Sequence, residues 1–526
     1  MIDNIEELFA LLSRPENDVT EQDRTKAAYA AHVLIHSWSH LNPAHQTTVT
    51  EFLISLKETS SPYKGAMVNS MLFGITGEAP YLAKALASLE HYETDITAGV
   101  STFFSLALMN FKSNPVAETA VKKHLTRDVL RQLFLKNLAK VQDIFNIIKS
   151  DTPPKFEKNN RVIILTRQML RPPHAPSVDT LDFAAMLKQD HGKEPLIIAT
   201  SEASHSYDGA IAPCFLANID EDFIDIKTIN YRDQQLPFLM CGKGVFSVNS
   251  VAEGLATIAA YNPEMILSVG SPSLLSEPFG DSRFCFIYPT SRGIPTTSTN
   301  YFHTWDEVDE EMQQQIEDEG HEAHYLFTQH PGFELKPPSS SLTRAQFGIP
   351  EDSFVFVVVG LRLDNDVDDS FVTLLDTLVE HTKAHIIFAG PFNTYDTCME
   401  GHDRLKEKST PLGFQPDIMA VYALADAFLN PTRKGAGSGI IYAMQALLPI
   451  LSLPHGDAGM AVAGFPALSS YDDMADAAKK LIDDPEILQQ YQEIAKSEFP
   501  KFTGRTRLVS RILEEFEKYA SKKLEA

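Results

Sequence analysis

Two cations stand in a glycine-rich stretch, NPTRKGAGSGIIYAMQALLPIL, Asn430 to Leu451. Arg433 and Lys434 lead directly into Gly435, Gly437, Ser438 and Gly439. Glycines let a backbone pass close to a ligand. A helix start offers unpaired N–H groups and a partial positive charge. Full charges beside them suit a phosphate or pyrophosphate; the structural alternative is a plain helix start with solvated cations. A second candidate lies in RQMLRPPHAPSVDT, Arg167 to Thr180. His174 has the near-neutral pKa that suits removal of a hydroxyl proton, with Asp179, Arg167 and Arg171 as weaker candidates. A loop histidine held by a structural hydrogen bond is the competing reading. At most one of His303, His324 and His330 is expected to act, with His330 ahead because TQHPGF precedes a linker. DNDVDD, Asp364 to Asp369, offers a metal-type D-x-D pattern, yet it reads better as a solvated acidic loop, so no metal is expected.

The whole chain bounds these options. It has 526 residues and a formal net charge of -25, with no lysine-rich block. A nucleic-acid or anionic-membrane binder would need a basic face, so neither is expected. An anion must be held by a few local cations and backbone amides. The four cysteines, Cys214, Cys241, Cys285 and Cys398, are far apart and read as reduced thiols of a cytoplasmic protein. The start, MIDNIEELFALL, lacks the basic and apolar regions of a signal peptide. No apolar run approaches the roughly 18 residues of a membrane span.

The elements that must position the candidates fall into three regions: 1–155, 156–335 and 336–526. The first reads as helix after helix, as in TKAAYAAHVLIHSWSHL and VLRQLFLKNLAKVQDIFNIIKS. It is expected to contact an acceptor, a partner or a second copy of the chain. After the linker DTPPKFEKNN, the strand-like runs RVIILT, PLIIAT, MILSVG and FCFIYPT alternate with helical segments. A second alternating set holds FVFVVVG, HIIFAG, AFLNP and ILSLP, with Ile440 to Leu447 as the helix after the glycine turn. Strands alternating with helices predict parallel sheets covered on both faces. The expected fold is therefore α/β, a pair of doubly wound Rossmann-type domains behind an all-α N-terminal domain. The last helix is expected to pack on one of the pair, even crossing back to the first. Ligands of such sheets bind beyond the carboxyl ends of the strands.

The order of motifs in the last region resembles the nucleotide-sugar domain of GT-B glycosyltransferases. VVGLRLD places Gly360 and Arg362 after the first strand, and GPFNTY follows the next. LGFQPDIMAVYALADAFLNP supplies a glycine turn, a Tyr-Ala-x-Ala-Asp helix and the strand into the glycine-rich turn, and YAMQALLPI closes the set. The resemblance implies a nucleotide-diphosphate sugar, most often UDP-linked, as donor substrate, and no cofactor. It implies that Arg362 and Lys434 contact the pyrophosphate. Gly435, Gly437, Ser438 and Gly439 would donate to it, Gly360 would allow close approach, and Gly413, Phe414 and Gln415 would meet the base. In GDAGMAVAG, Asp457 or Ala458 would lie nearest the donor sugar. Members of the glycogen-synthase type carry two glutamates where this chain has Lys434 and Tyr442, which leaves the stereochemistry open. FIYPTSRGIPTTSTNYFH also looks like a loop of bacterial cytoplasmic protein N-glycosyltransferases, which use UDP-sugars without a metal. The implied activity is sugar transfer, by a hexosyl- or N-acetylhexosaminyltransferase, to a protein or glycan acceptor. A non-catalytic GT-B partner subunit and a sugar-nucleotide epimerase stay open, as does a homo-oligomer formed through the helical region.

Overall fold

The computed structural model describes the chain except residues 1, 16–17, 60, 93, 113–114, 150–155, 173, 204–206, 215–216, 291–292, 299–300, 306–307, 322–324, 328–331, 335–336, 434, 436 and 526. Lys434, His324 and His330 therefore lie outside the described residues. The fold is α/β, with two doubly wound sheets following a helical N-terminal region. Contacts divide the chain into two units, Met1–Phe327 with Arg511–Ala526, and Thr328–Ser510.

In the first unit, the described residues before Arg161 form helices and no strand. These helices begin with caps that their sequences announce. Thr20 accepts from Asp23 N–H in a capping box, and Asn42, Ser61 and Thr126 cap three later helices. An eight-stranded sheet follows: β1 (Arg161–Thr166), β2 (Glu194–Ala199), β3 (Thr228–Tyr231), β4 (Gln234–Met240), β5 (Met265–Gly270), β6 (Phe284–Pro289), β7 (Tyr301–Thr304) and β8 (Tyr325–Phe327). Their order is β3-β4-β2-β1-β5-β6-β7-β8, with β3 antiparallel to β4 and the other pairs parallel. β1 and β2 are buried almost throughout, as expected of strands covered on both faces.

The helical region is part of that cover. Val100, Phe104 and Phe134 share one core with Ile163 and Leu165 of β1, Ile198 of β2 and Ile266 of β5. A second core takes Ala210, Ile211, Ala212 and Cys214, from the β2–β3 connection, in among the N-terminal helices. The carboxyl part of the helix Arg505–Glu525 also belongs to this unit, where Phe516 and Tyr519 pack on Phe284.

The second unit holds β9 (Phe354–Val359), β10 (Ala384–Ala389), β11 (Ser409–Gly413), β12 (Ala427–Asn430) and β13 (Ile450–Ser452). All are parallel, in the order β11-β10-β9-β12-β13. The chain works outward from β9 on one side, then returns to its other side at β12. The loops after β9 and β12 thus diverge at a topological switch point, where open α/β sheets take ligands. Val355, Val357, Ile386, Ile387, Phe428 and Leu429 form the centre of a core closed by helices such as Asp369–His381 and Gly437–Gln445.

Candidate functional site

The carboxyl edge of the second sheet is built from loops stitched to one another. Gly360 N–H donates to Ala389 O at 3.0 Å and Gly390 N–H to Gly413 O at 2.8 Å, so the turns after β9, β10 and β11 continue the ladder. Gly390 has φ 134, and a Cβ there would lie 1.8 Å from Gly360 O, so only glycine fits. Asp364 accepts from Thr394 N–H at 2.8 Å, Thr394 Oγ1 at 3.0 Å and Asn393 Nδ2 at 2.8 Å, tying the loop after β9 to the loop after β10.

Arg433 ties the loop after β9 to the one after β12. Its Nη1 donates to Asp366 Oδ2 at 3.0 Å, Nη2 to Val359 O at 2.6 Å, and Nε to Asn430 Oδ1 at 3.0 Å. The guanidinium is buried; burial pulls its pKa down and Asp366 opposes the shift. Arg433 thus faces inward as a brace, where the sequence suggested a cation turned to an anion. The reason is local. Gly360 leaves the space that its head group fills, since a Cβ at Gly360 would lie 2.5 Å from Nη1. The acidic loop also differs from the expected solvated one. Asp366 is paired, Asp364 is a clamp, and Asp368 caps the helix Asp369–His381 through Phe371 N–H. Sequence reasoning missed Asp364 and Asp366 as site-builders; their nearness in sequence to Gly360 and Arg362 was the available signal.

The helix after β12 begins at Gly437, three residues earlier than the sequence suggested. Gly437, Ser438 and Gly439 therefore form its first turn, and with Gly435 they are half-buried. Gly437 also packs closely, with a Cβ there 3.2 Å from Asp457 Cβ. Gly439 O accepts from the buried Tyr422 hydroxyl at 2.8 Å. Arg362 sits on the rim at 36% side-chain exposure, 3.9 Å from Asp366. Gly413 has φ 65, and Phe414 beside it is 49% exposed. Gln415 turns back to donate to Leu412 O at 2.7 Å. The edge thus brings together Gly360, Arg362, Arg433, Gly435 and the first turn Gly437–Gly439, with Gly413 ending the outer strand and Phe414 just after it.

No family model matches the chain, and no curated protein does. Solved structures do resemble it. A glycosyltransferase from Rickettsia africae superposes with a TM-score of 0.49 at 12% identity, covering 69% of this chain and 99% of its own. The HepE protein of Anabaena, in complex with UDP, superposes with a TM-score of 0.47 at 16% identity, over 69% of this chain and 100% of its own. A variant of the Thermobaculum terrenum O-GlcNAc transferase gives 0.46 at 11% identity, over 99% of both chains.

The candidates of the first unit scatter. His174 stands at the N-cap position of the helix Ala175–His191 without its side chain accepting a backbone N–H of the first turn, and both of its ring nitrogens are engaged by side chains. Ser177 Oγ accepts from Leu170 N–H at 2.9 Å and lies 2.7 Å from His174 Nδ1. Nε2 lies 3.1 Å from the Gln168 side-chain nitrogen, whose N–H donates to it when the ring proton sits on Nδ1. Burial lowers the His174 pKa to about 4, so the ring is neutral at ordinary pH. Asp179 is buried within the same helix. Arg171 is exposed and pairs with Asp220 and Asp222. His303 is fully buried and stacks on Tyr288.

All four cysteines are unpaired. No group of metal-ligating side chains occurs among the described residues. No described helix is long and apolar enough to cross a membrane.

Proposed function

We propose that the protein is a GT-B-type glycosyltransferase that moves a sugar from a nucleoside diphosphate, UDP in the first instance, to a protein or glycan acceptor. The observation that carries this reading is the braced switch point between β9 and β12. Its loops hold a glycine-rich first helical turn open beside a rim arginine. In the proposed complex the diphosphate lies against the first turn Gly437–Gly439, with Arg362 and Lys434 as its charged partners. Gly413 and Phe414 flank the base. Departure of the diphosphate builds negative charge, and fixed N–H groups and cations stabilise it without reorganising. That supply of positive charge is why we propose transfer without a metal. Arg433 acts at one remove, by fixing the two loops.

The acceptor is proposed to bind the first unit, with a hexosyl or N-acetylhexosaminyl group as cargo, and the cytoplasm is proposed as the compartment, a reading with which four unpaired cysteines agree. A second reading, a nucleotide-binding partner subunit without transfer activity, draws on His174, whose ring nitrogens are both engaged within the chain. A donor-hydrolysis screen across nucleotide sugars, with UDP titration alongside, separates the two. A transferase releases UDP from one donor, and Lys434→Ala cuts both release and UDP affinity by about tenfold or more, as loss of a charged contact implies. UDP binding with no turnover of any donor selects the partner reading. Binding and hydrolysis untouched by Lys434→Ala remove the proposed site.

A further inference from the structure

We propose that a cavity at the carboxyl ends of β1, β5 and β6 in the first unit binds the carboxylate of an acidic ligand through Arg167. This site goes beyond the donor site, shares no residue with it and stands whether or not that reading holds.

The cavity measures about 160 Å³, far more than the roughly 10–15 Å³ that admits one water. It lies beyond β1 and β5, the switch point of the first sheet, where the chain turns from one side of β1 to the other. Phe103 and Phe134 line it from the N-terminal helices, with Ser271, Ile294 and Thr296 from the loops after β5 and β6. Arg167, the residue after β1, is its one charged lining side chain among the described residues.

The guanidinium is anchored but incompletely used. Nε donates to Pro272 O at 3.3 Å, and the head group lies 4.6 Å from the centre of the Phe104 ring. Its terminal nitrogens make no hydrogen bond and no ion pair among the described residues. Burial draws the Arg167 pKa down to about 10 while the charge of Glu202 opposes the shift, so the arginine stays charged at neutral pH. The nearby acid, Glu202, does not line this cavity but shares with Arg167 an adjoining space of about 10 Å³. It is occupied by the Ser273 hydroxyl and Leu274 N–H, and burial raises its pKa. Arg167 is half-buried and no described acid stands at contact distance from its terminal nitrogens, so a ligand anion is favoured there. One positive charge matches one carboxylate, whose planar pair of oxygens fits the free end of a guanidinium. A phosphate dianion would bring a second charge with nothing to meet it. Phe103, Phe134 and Ile294 give a short hydrocarbon stem apolar contact within a lining that is mostly polar.

The test is titration of the full chain, followed by ligand-observed NMR and calorimetry, with glutarate, the capped peptide acetyl-Ala-Glu-Ala-amide and inorganic phosphate as probes. A carboxylate probe should bind the wild type. Arg167→Met should weaken it about tenfold or more, with Arg167→Lys in between. Ser271→Leu, which fills the cavity and leaves the charge, should weaken it too, and keeps the test open if Arg167→Met fails to fold by circular dichroism. Tighter binding of glutarate points to a free acid; tighter binding of the peptide points to an acidic side chain. Absence of carboxylate binding, preference for phosphate, or binding indifferent to both substitutions overturns the proposal. UDP titration of the same variants should match the wild type, so a failure here is separable from a failure of the donor site.

Discussion

Arg433 Nη1 and Asp366 Oδ2 lie 3.0 Å apart, with side chains only 5% and 10% exposed, and join the loops after β12 and β9. The pair makes the carboxyl edge of the second sheet rigid. Three further bonds, to Val359 O and twice to Asn430 Oδ1, complete the arginine's shell.

Breaking that pair leaves a buried charge alone. Arg433→Met should cost roughly 3–5 kcal/mol of stability by urea denaturation. Combining it with Asp366→Leu should cost less than the single change, because the stranded carboxylate is gone. Additive losses would show that the pair is not a unit.

Gly360→Ala tests the same brace from the other side. The added methyl would sit 2.5 Å from Arg433 Nη1 and 3.0 Å from Leu363 Cδ2. A destabilisation of about 1–3 kcal/mol is expected from overpacking, together with weaker UDP binding. Unchanged melting would mean that the guanidinium moves aside at little cost.

Phe414 is half exposed, so Phe414→Ala should change stability by no more than about 0.5 kcal/mol. Loss of a stacking ring of ~1 kcal/mol should weaken UDP about fivefold by calorimetry. Equal affinities for the two proteins would take the base away from this residue.

His174 has a folded pKa of about 4, below its ordinary 6.5. Its contribution is fully present above pH 6.5, where the unfolded ring is also neutral. Stability then falls as pH drops from 6.5 to about 4, since the unfolded state takes up the proton first, by roughly 3 kcal/mol in total. His174→Gln should flatten the stability profile in that window relative to wild type. Parallel profiles would show that the ring is not held neutral.

The strands with short, mostly apolar runs were legible from the sequence, because burial on both faces leaves no alternation to confuse. RVIILT, MILSVG and FVFVVV are β1, β5 and β9. The hairpin of β3 and β4 was not foreseen. Its turn places Arg232 and Asp233 at φ 47 and 60, residues that do not advertise a left-handed turn as Asn-Gly would. The short β7, β8 and β11 also escaped, whereas the equally short β12 and β13 were legible because each is an apolar run that follows a helical segment and leads to a proline.

By itself the sequence determined the α/β class, the helical start and the place of the glycine turn, all set by local periodicity and backbone freedom. Tertiary structure decided which way the charges point. Arg433 and Asp366 are 67 residues apart, and neither reveals the other until the sheet lays their loops side by side. The same holds for Arg167, whose cavity exists only because Phe103 and Phe134, from helices far upstream, close over the end of β1. Pattern along a chain fixes what each segment becomes; desolvation and pairing depend on which segments meet.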